Sequence, residues 1–194
     1  MKILKISIVI LTVFIACNIY ADIQKVYIEY EYTDKSTSNK ISFKLYKDGD
    51  KYKLIRKLSN SPGESGTVTG YIDVQAGTVI SVAEKNGVKK GLKSAWDDDY
   101  FALIMEYNIL FRGIPKGKSF KNYTKASGTE TVNGRECDIY ESGLSFLGAG
   151  TKYYMWNDIM LKAAAPDYTT AATNIDENPV FSESEFIPPA DVTY

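Results

Sequence analysis

Alternation of apolar and polar side chains with a period of two recurs along most of this chain, and it restricts the fold more than any other feature. Val26, Ile28, Tyr30 and Tyr32 fall on one side of an extended backbone and Tyr27, Glu29 and Glu31 on the other, which is the pattern of a strand with one face buried. Ile41, Phe43 and Leu45 alternate with Ser42 and Lys44 in the same way, and Asp48-Gly49-Asp50 turns the chain into Tyr52-Lys53-Leu54-Ile55. A loop over Ser59 to Gly66 follows. Val68, Gly70, Ile72 and Val74 then alternate with Thr69, Tyr71 and Asp73, Ala76-Gly77 turns into Thr78 to Val82, and Asn86-Gly87 turns into Val88-Lys89-Lys90. A meander of five or six antiparallel strands is the economical account. Fifteen tyrosines and eight phenylalanines agree with it, since aromatic side chains suit a pleated, half-buried surface.

The second half repeats the theme. Asn133-Gly134 joins Tyr123 to Val132 with Arg135 to Glu141 and is the clearest hairpin signal in the chain. Leu144 to Gly150 reads as a loop, and its lone G-x-G is too weak to signify phosphate. Lys152 to Trp156 is a strand that Asn157-Asp158 turns into Ile159 to Lys162, and Ala171 to Ile175 and Val180 to Ile187, before Pro188-Pro189, read as two closing edge strands. Cys137, inside an alternating stretch, reads as a small buried apolar residue.

One segment breaks the period. Asp97, Asp98 and Asp99 precede Tyr100 to Arg112, where acids suit the N-terminus of a helix, and Gly113 and Pro115 stop it. The three aspartates lack the spaced ligands of a calcium loop. The helix carries two apolar stripes, Tyr100, Leu103, Ile104, Tyr107, Leu110 and Phe111 on one and Phe101, Met105 and Ile109 on the other. One stripe suffices to lie on a sheet. The second either packs on further protein or faces a cavity that takes an apolar ligand.

The first 21 residues have the form of an export signal: Lys2 and Lys5, an apolar stretch from Ile6 to Ala16, and an exit at Ile19-Tyr20-Ala21. Residues 1–21 are therefore expected to be a signal peptide and 22–194 a single domain. That apolar stretch is shorter than a spanning helix requires, and the mature chain has no longer one. Val13-Phe14-Ile15-Ala16-Cys17 also has the form of a lipobox, in which case Cys17 is acylated and anchors a lipoprotein to a membrane. Expected locations are the periplasm or, with Cys17 acylated, the membrane surface.

Composition narrows the chemistry. Residues 22–194 hold 21 bases against 24 acids, without the basic excess that nucleic-acid binding needs. There is no histidine, so the usual general base and the usual metal ligand are both absent, and with only Cys17 and Cys137 no cysteine zinc site can form. No cofactor or metal is expected. Asn122-Tyr123-Thr124 matches a glycosylation sequon.

The order Asn133-Gly134-Arg135-Glu136-Cys137-Asp138-Ile139-Tyr140, then Lys152-Tyr153-Tyr154-Met155-Trp156-Asn157-Asp158-Ile159-Met160-Leu161-Lys162, then Asn174 to Asn178 and Glu185-Phe186-Ile187-Pro188, resembles the C-terminal half of exported proteins of the LolA/LolB-like lipoprotein-carrier superfamily. The resemblance implies a mainly β fold, a curved antiparallel sheet or incomplete β-barrel closed by one or more helices over a hydrophobic cavity that holds acyl chains. Tyr100 to Arg112 would then be a helical lid, and the chain has one convincing helix where those carriers have several.

Three functions stay open on these residues. The first is a non-enzymatic binder or carrier that holds a lipid, acyl chain or lipoprotein, with Phe101, Leu103, Ile104, Met105, Tyr107, Ile109, Leu110 and Phe111 as the apolar contacts. The second is a structural or interaction protein of the envelope with a filled core, whose partners are other envelope proteins. The third is a hydrolase working through paired carboxylates, for which Asp97, Asp98, Asp99 and Glu106 are the acids next to apolar surface.

Overall fold

The structure is a computed structural model that describes residues 23–59, 65–95, 123–142, 150–157 and 159–194, with backbone alone at 58, 59, 65, 123–127 and 142. Among the described residues eleven strands form one antiparallel sheet: β1 (Lys25–Asp34), β2 (Lys40–Asp48), β3 (Lys51–Ser59), β4 (Ser65–Asp73), β5 (Thr78–Lys85), β6 (Val88–Ala95), β7 (Tyr123–Val132), β8 (Arg135–Ser142), β9 (Lys152–Trp156), β10 (Ile159–Ala164) and β11 (Tyr168–Asp176). The expected signal peptide, Cys17, Asp97 to Asp99, the helix Tyr100 to Arg112, Asn122 and the loop residues 144–149 lie outside the described residues.

The first six strands are the meander that the alternation predicts. Its hairpins turn on residues that tolerate a left-handed backbone: Asn86 and Gly87 have φ of 53° and 76°, and Asn133 and Gly134 between β7 and β8 have 49° and 75°. A type I′ turn needs positive φ at both positions, which asparagine and glycine supply at least cost. The loop expected over Ser59 to Gly66 is shorter than its composition suggests. Leu58 pairs with Gly66 and Ser59 with Ser65, so β3 and β4 run to its ends.

The order across the sheet is β6-β5-β4-β3-β2-β1-β11-β10-β9-β8-β7. Strand β11 returns to pair with β1, from Tyr27 opposite Asp176 to Asp34 opposite Tyr168. The expectation that Ala171 to Ile175 forms an edge strand is thus corrected: β11 is internal, bonded to β1 on one side and β10 on the other. Its small side chains suit that place, with Thr170 and Ala172 buried. Val180 to Ile187 is not a strand either. It contains a 3-10 turn, Glu183–Phe186, and its aromatic side chains pack on the sheet rather than in its ladder.

The sheet is curved and open. Register shifts interrupt β1 and β11 at Glu29/Tyr30, β9 and β10 at Met160/Lys162, and β7 and β8 between Lys125 and Thr129, and such bulges bend and twist a sheet. Among the described residues β7 is the next strand after β6, yet the two lie at opposite ends of the order and no pairing between them closes the sheet. The principal core joins Val26, Ile28 and Tyr30 of β1 to Phe43, Leu45, Leu54 and Ile72, and across β11 to Leu161, Tyr154 and Cys137. A second cluster gathers Tyr153, Met155, Met160 and Ala163. Since Tyr153, Tyr154 and Met155 are successive and all buried, β9 is covered on both faces, unlike β1, where buried residues alternate.

Candidate functional site

Two faces of the β1–β6 half are chemically distinct. The first is the apolar one, where register places Val26, Ile28, Tyr30 and Tyr32 of β1 beside Lys47, Leu45, Phe43 and Ile41 of β2. Three of its polar groups are handled in different ways. The Tyr30 hydroxyl donates to the Met160 carbonyl at 2.8 Å, and burial raises its pKa far above that of an ordinary phenol. Lys47, only 5% exposed, donates from Nζ to the carbonyls of Ile23 and Gly49 at 2.5 and 3.0 Å and lies over the Tyr52 ring. A buried ammonium needs such acceptors, because desolvation without them costs several kcal/mol. Arg56, opposite Phe43 in register, holds its guanidinium 5.7 Å from the centre of that ring. The Thr170 hydroxyl is fully buried and has no hydrogen-bond partner among the described residues.

The second face is polar and aromatic, and the segment after β11 crosses part of it. Phe181 packs on Tyr46 of β2 with ring centres 5.8 Å apart and edge-on to Phe186 at 5.4 Å, while Lys25 of β1 lies over the Phe181 ring. Glu185 accepts from Lys53 of β3 at 2.6 Å, and the same ammonium sits between the rings of Tyr46 and Tyr71. Asp191 then binds Lys89 of β6 through both carboxylate oxygens, at 2.8 and 3.0 Å. The pairing holds the Asp191 carboxyl below its ordinary range and raises Lys89. Residues 177–194 thus form a strap from β11 to the far end of the sheet.

Beside the strap an open trough of about 400 Å³ spans β11, β1, β2 and β3, lined by Glu29, Glu31, Ser42, Lys44, Ile55 and Lys57 among others. Both of its carboxylates are paired: Glu29 accepts from the Tyr27 hydroxyl at 2.5 Å and pairs with Lys44 at 3.1 Å, and Glu31 pairs with Lys40 at 2.8 Å. Hydrogen bonds from Tyr27 first and then Lys44 lower the Glu29 pKa. Neutralised pairs on an exposed surface offer little to a charged ligand.

Three comparisons bear on the whole chain. No family model matches it. No curated protein matches it either. Among solved structures it is similar to the complex of Pseudomonas aeruginosa MucA/MucB, with a TM-score of 0.39 and 11% identity over 86% of this chain and 56% of that one. A crystal structure of MucB in complex with MucA(peri) gives 0.38 and 11% over 87% and 54%. The chain spans little more than half the length of those structures, and likeness at this level assigns it no family, ligand or partner.

The eight apolar residues expected to contact a ligand, Phe101, Leu103, Ile104, Met105, Tyr107, Ile109, Leu110 and Phe111, all lie outside the described residues, as does Cys17. Among the described residues no three histidine, cysteine, aspartate or glutamate side chains converge on a metal site, and no helix is long and apolar enough to cross a membrane. Cys137 is buried and its thiol is pushed up to about 11 by desolvation, consistent with a packing residue. What sequence reasoning missed is the strap. The one local signal for it is that no lysine or arginine follows Lys162, so this final stretch is acidic against a lysine-bearing sheet.

Proposed function

We propose that this is an exported, non-enzymatic binding protein of the bacterial envelope that holds a lipid or acyl chain against the apolar face of its curved sheet. The observation that carries the reading is the open sheet: the strands that would have to pair to close it, β6 and β7, lie at its two ends. The apolar face of this open curve is buried in the structure, with Val26, Ile28 and Leu45 at most 2% exposed, so an acyl chain would enter by parting the side chains that now pack there. Each ligand methylene placed there contributes about 0.8 kcal/mol, so tight binding needs no polar signature in the sequence. In this reading Tyr100 to Arg112 is the lid, the chain from residue 22 is one LolA-like domain, and the protein is periplasmic, or membrane-anchored where Cys17 is acylated.

The test is displacement of a dansylated medium-chain fatty acid followed by fluorescence. The wild-type chain should bind the probe saturably and release it to unlabelled fatty acid. Leu103→Asp or Leu110→Asp should weaken binding by roughly tenfold or more, since each places a carboxylate in an apolar contact. A folded wild-type chain with no saturable binding contradicts the proposal.

A further inference from the structure

The outer edge of β6 is already partly filled, and the way it is filled indicates what else fits there. Among the described residues strand β6 ends the sheet order, and residues of the strap lie along its outer side. The Gly91 amide donates to the Thr193 carbonyl at 2.8 Å, and Lys90 and Thr193 form one parallel bridge. The return bond from the Thr193 amide to the Lys89 carbonyl is long, at 3.5 Å. Main-chain groups at a sheet edge pair with any extended segment that reaches them.

Side chains define the seat more narrowly. Asp191 places both carboxylate oxygens on Lys89, and Val192 and Tyr194 lie over Gly91. A Cβ at Gly91 would come within 2.8 Å of the Tyr194 ring and closer still to Val192, so the glycine is required here for space rather than for its backbone angle. Charge points the same way: β6 carries Lys89, Lys90 and Lys93 and no acid, while the strap carries acids and no cation. On the opposite face of β6, Val88 and Leu92 stand 59% and 69% exposed, apolar area that a longer added strand would cover.

From this geometry we propose that the β6 edge is a strand-addition site for an extended acidic segment of a partner protein, and that Asp191–Tyr194 is its intramolecular occupant. A partner strand would exchange one bridge and one exposed ion pair for a longer ladder, with an acid on Lys89 and apolar side chains on Gly91, as in peptide recognition by strand addition. The inference does not depend on a ligand in the sheet.

The experiment uses two proteins, the intact chain and one lacking residues 188–194, with a fluorescent peptide of the sequence Pro188 to Tyr194 as probe. The shortened chain, shown to be folded by circular dichroism, should bind the peptide saturably, and the intact chain at least about tenfold more weakly because its own strap competes. Gly91→Val in the shortened chain should cost tenfold or more, and Asp191→Asn in the peptide about threefold, diminishing with added salt. Should the shortened chain not fold, amide exchange in the intact protein replaces it, with excess peptide expected to perturb the Gly91 and Thr193 amides. No binding by a folded shortened chain, or unperturbed Gly91 and Thr193 amides, overturns the proposal. So does a shortened chain that dimerises through β6 and excludes the peptide, since the occupant would then be a second copy.

Discussion

At residue scale the chain solves its burial problems with specific partners. Lys47 keeps its charge in the interior by donating to two carbonyls, and Tyr30 is anchored to the backbone of β10. Cys137 has no partner of comparable strength and stays protonated because burial disfavours the thiolate, raising its pKa from 9.0 to about 11. A raised pKa of this kind stabilises the fold fully below pH 9 and is lost as pH rises through 11. Unfolding followed from pH 7 to 11 should therefore show the wild type losing stability relative to Cys137→Ala across the upper end of that range. A thiol reagent should label Cys137 only on unfolding. Rapid labelling of the native protein, or parallel pH profiles for the two chains, would contradict the assignment. Burial of this thiol was legible in the alternation around it. The ammonium of Lys47 was not, because its acceptors come from Ile23 and Gly49, outside the strand that carries it.

Between elements, local periodicity identified nearly every strand and turn, since a period of two and an Asn-Gly pair act within a few residues. It failed at β11 and at the strap for one reason. Whether a strand is internal or at an edge depends on a partner far away, and Thr173 of β11 hydrogen-bonds to Glu29 of β1 across 144 residues. The strap has no period at all, because Phe181, Glu185 and Asp191 each meet a different strand of the sheet. Its effect is visible in the burial of Tyr71 and Val82, which lie on the face that alternation assigns to solvent. Phe181→Ala removes ring packing on both Tyr46 and Phe186 and should destabilise the fold by about 1–3 kcal/mol, measured by urea unfolding. A change within experimental error would mean that the strap does not contribute to stability.

At the scale of the whole molecule the defining property is that the described residues form a sheet of eleven strands that curves without closing among them, with β6 ending at Ala95 at one end of the order and β7 starting at Tyr123 at the other. The mainly β character and antiparallel meander were readable from alternation and aromatic content. The order was not, because placing β11 between β1 and β10 requires long-range pairing that no local pattern records. The apolar residues singled out in Tyr100 to Arg112 rest on helical spacing alone. Function separates from fold here: the same open sheet could hold a ligand or be filled by protein.

Native mass spectrometry of the protein purified from its own envelope fraction, followed by organic extraction and lipid analysis, separates those outcomes most directly. The account predicts a stoichiometric lipid or acyl chain that is released on unfolding and lost in Leu103→Asp or Leu110→Asp. A folded protein that carries no ligand, at the mass of Asp22 to Tyr194 or with only an acyl anchor at Cys17, would contradict it.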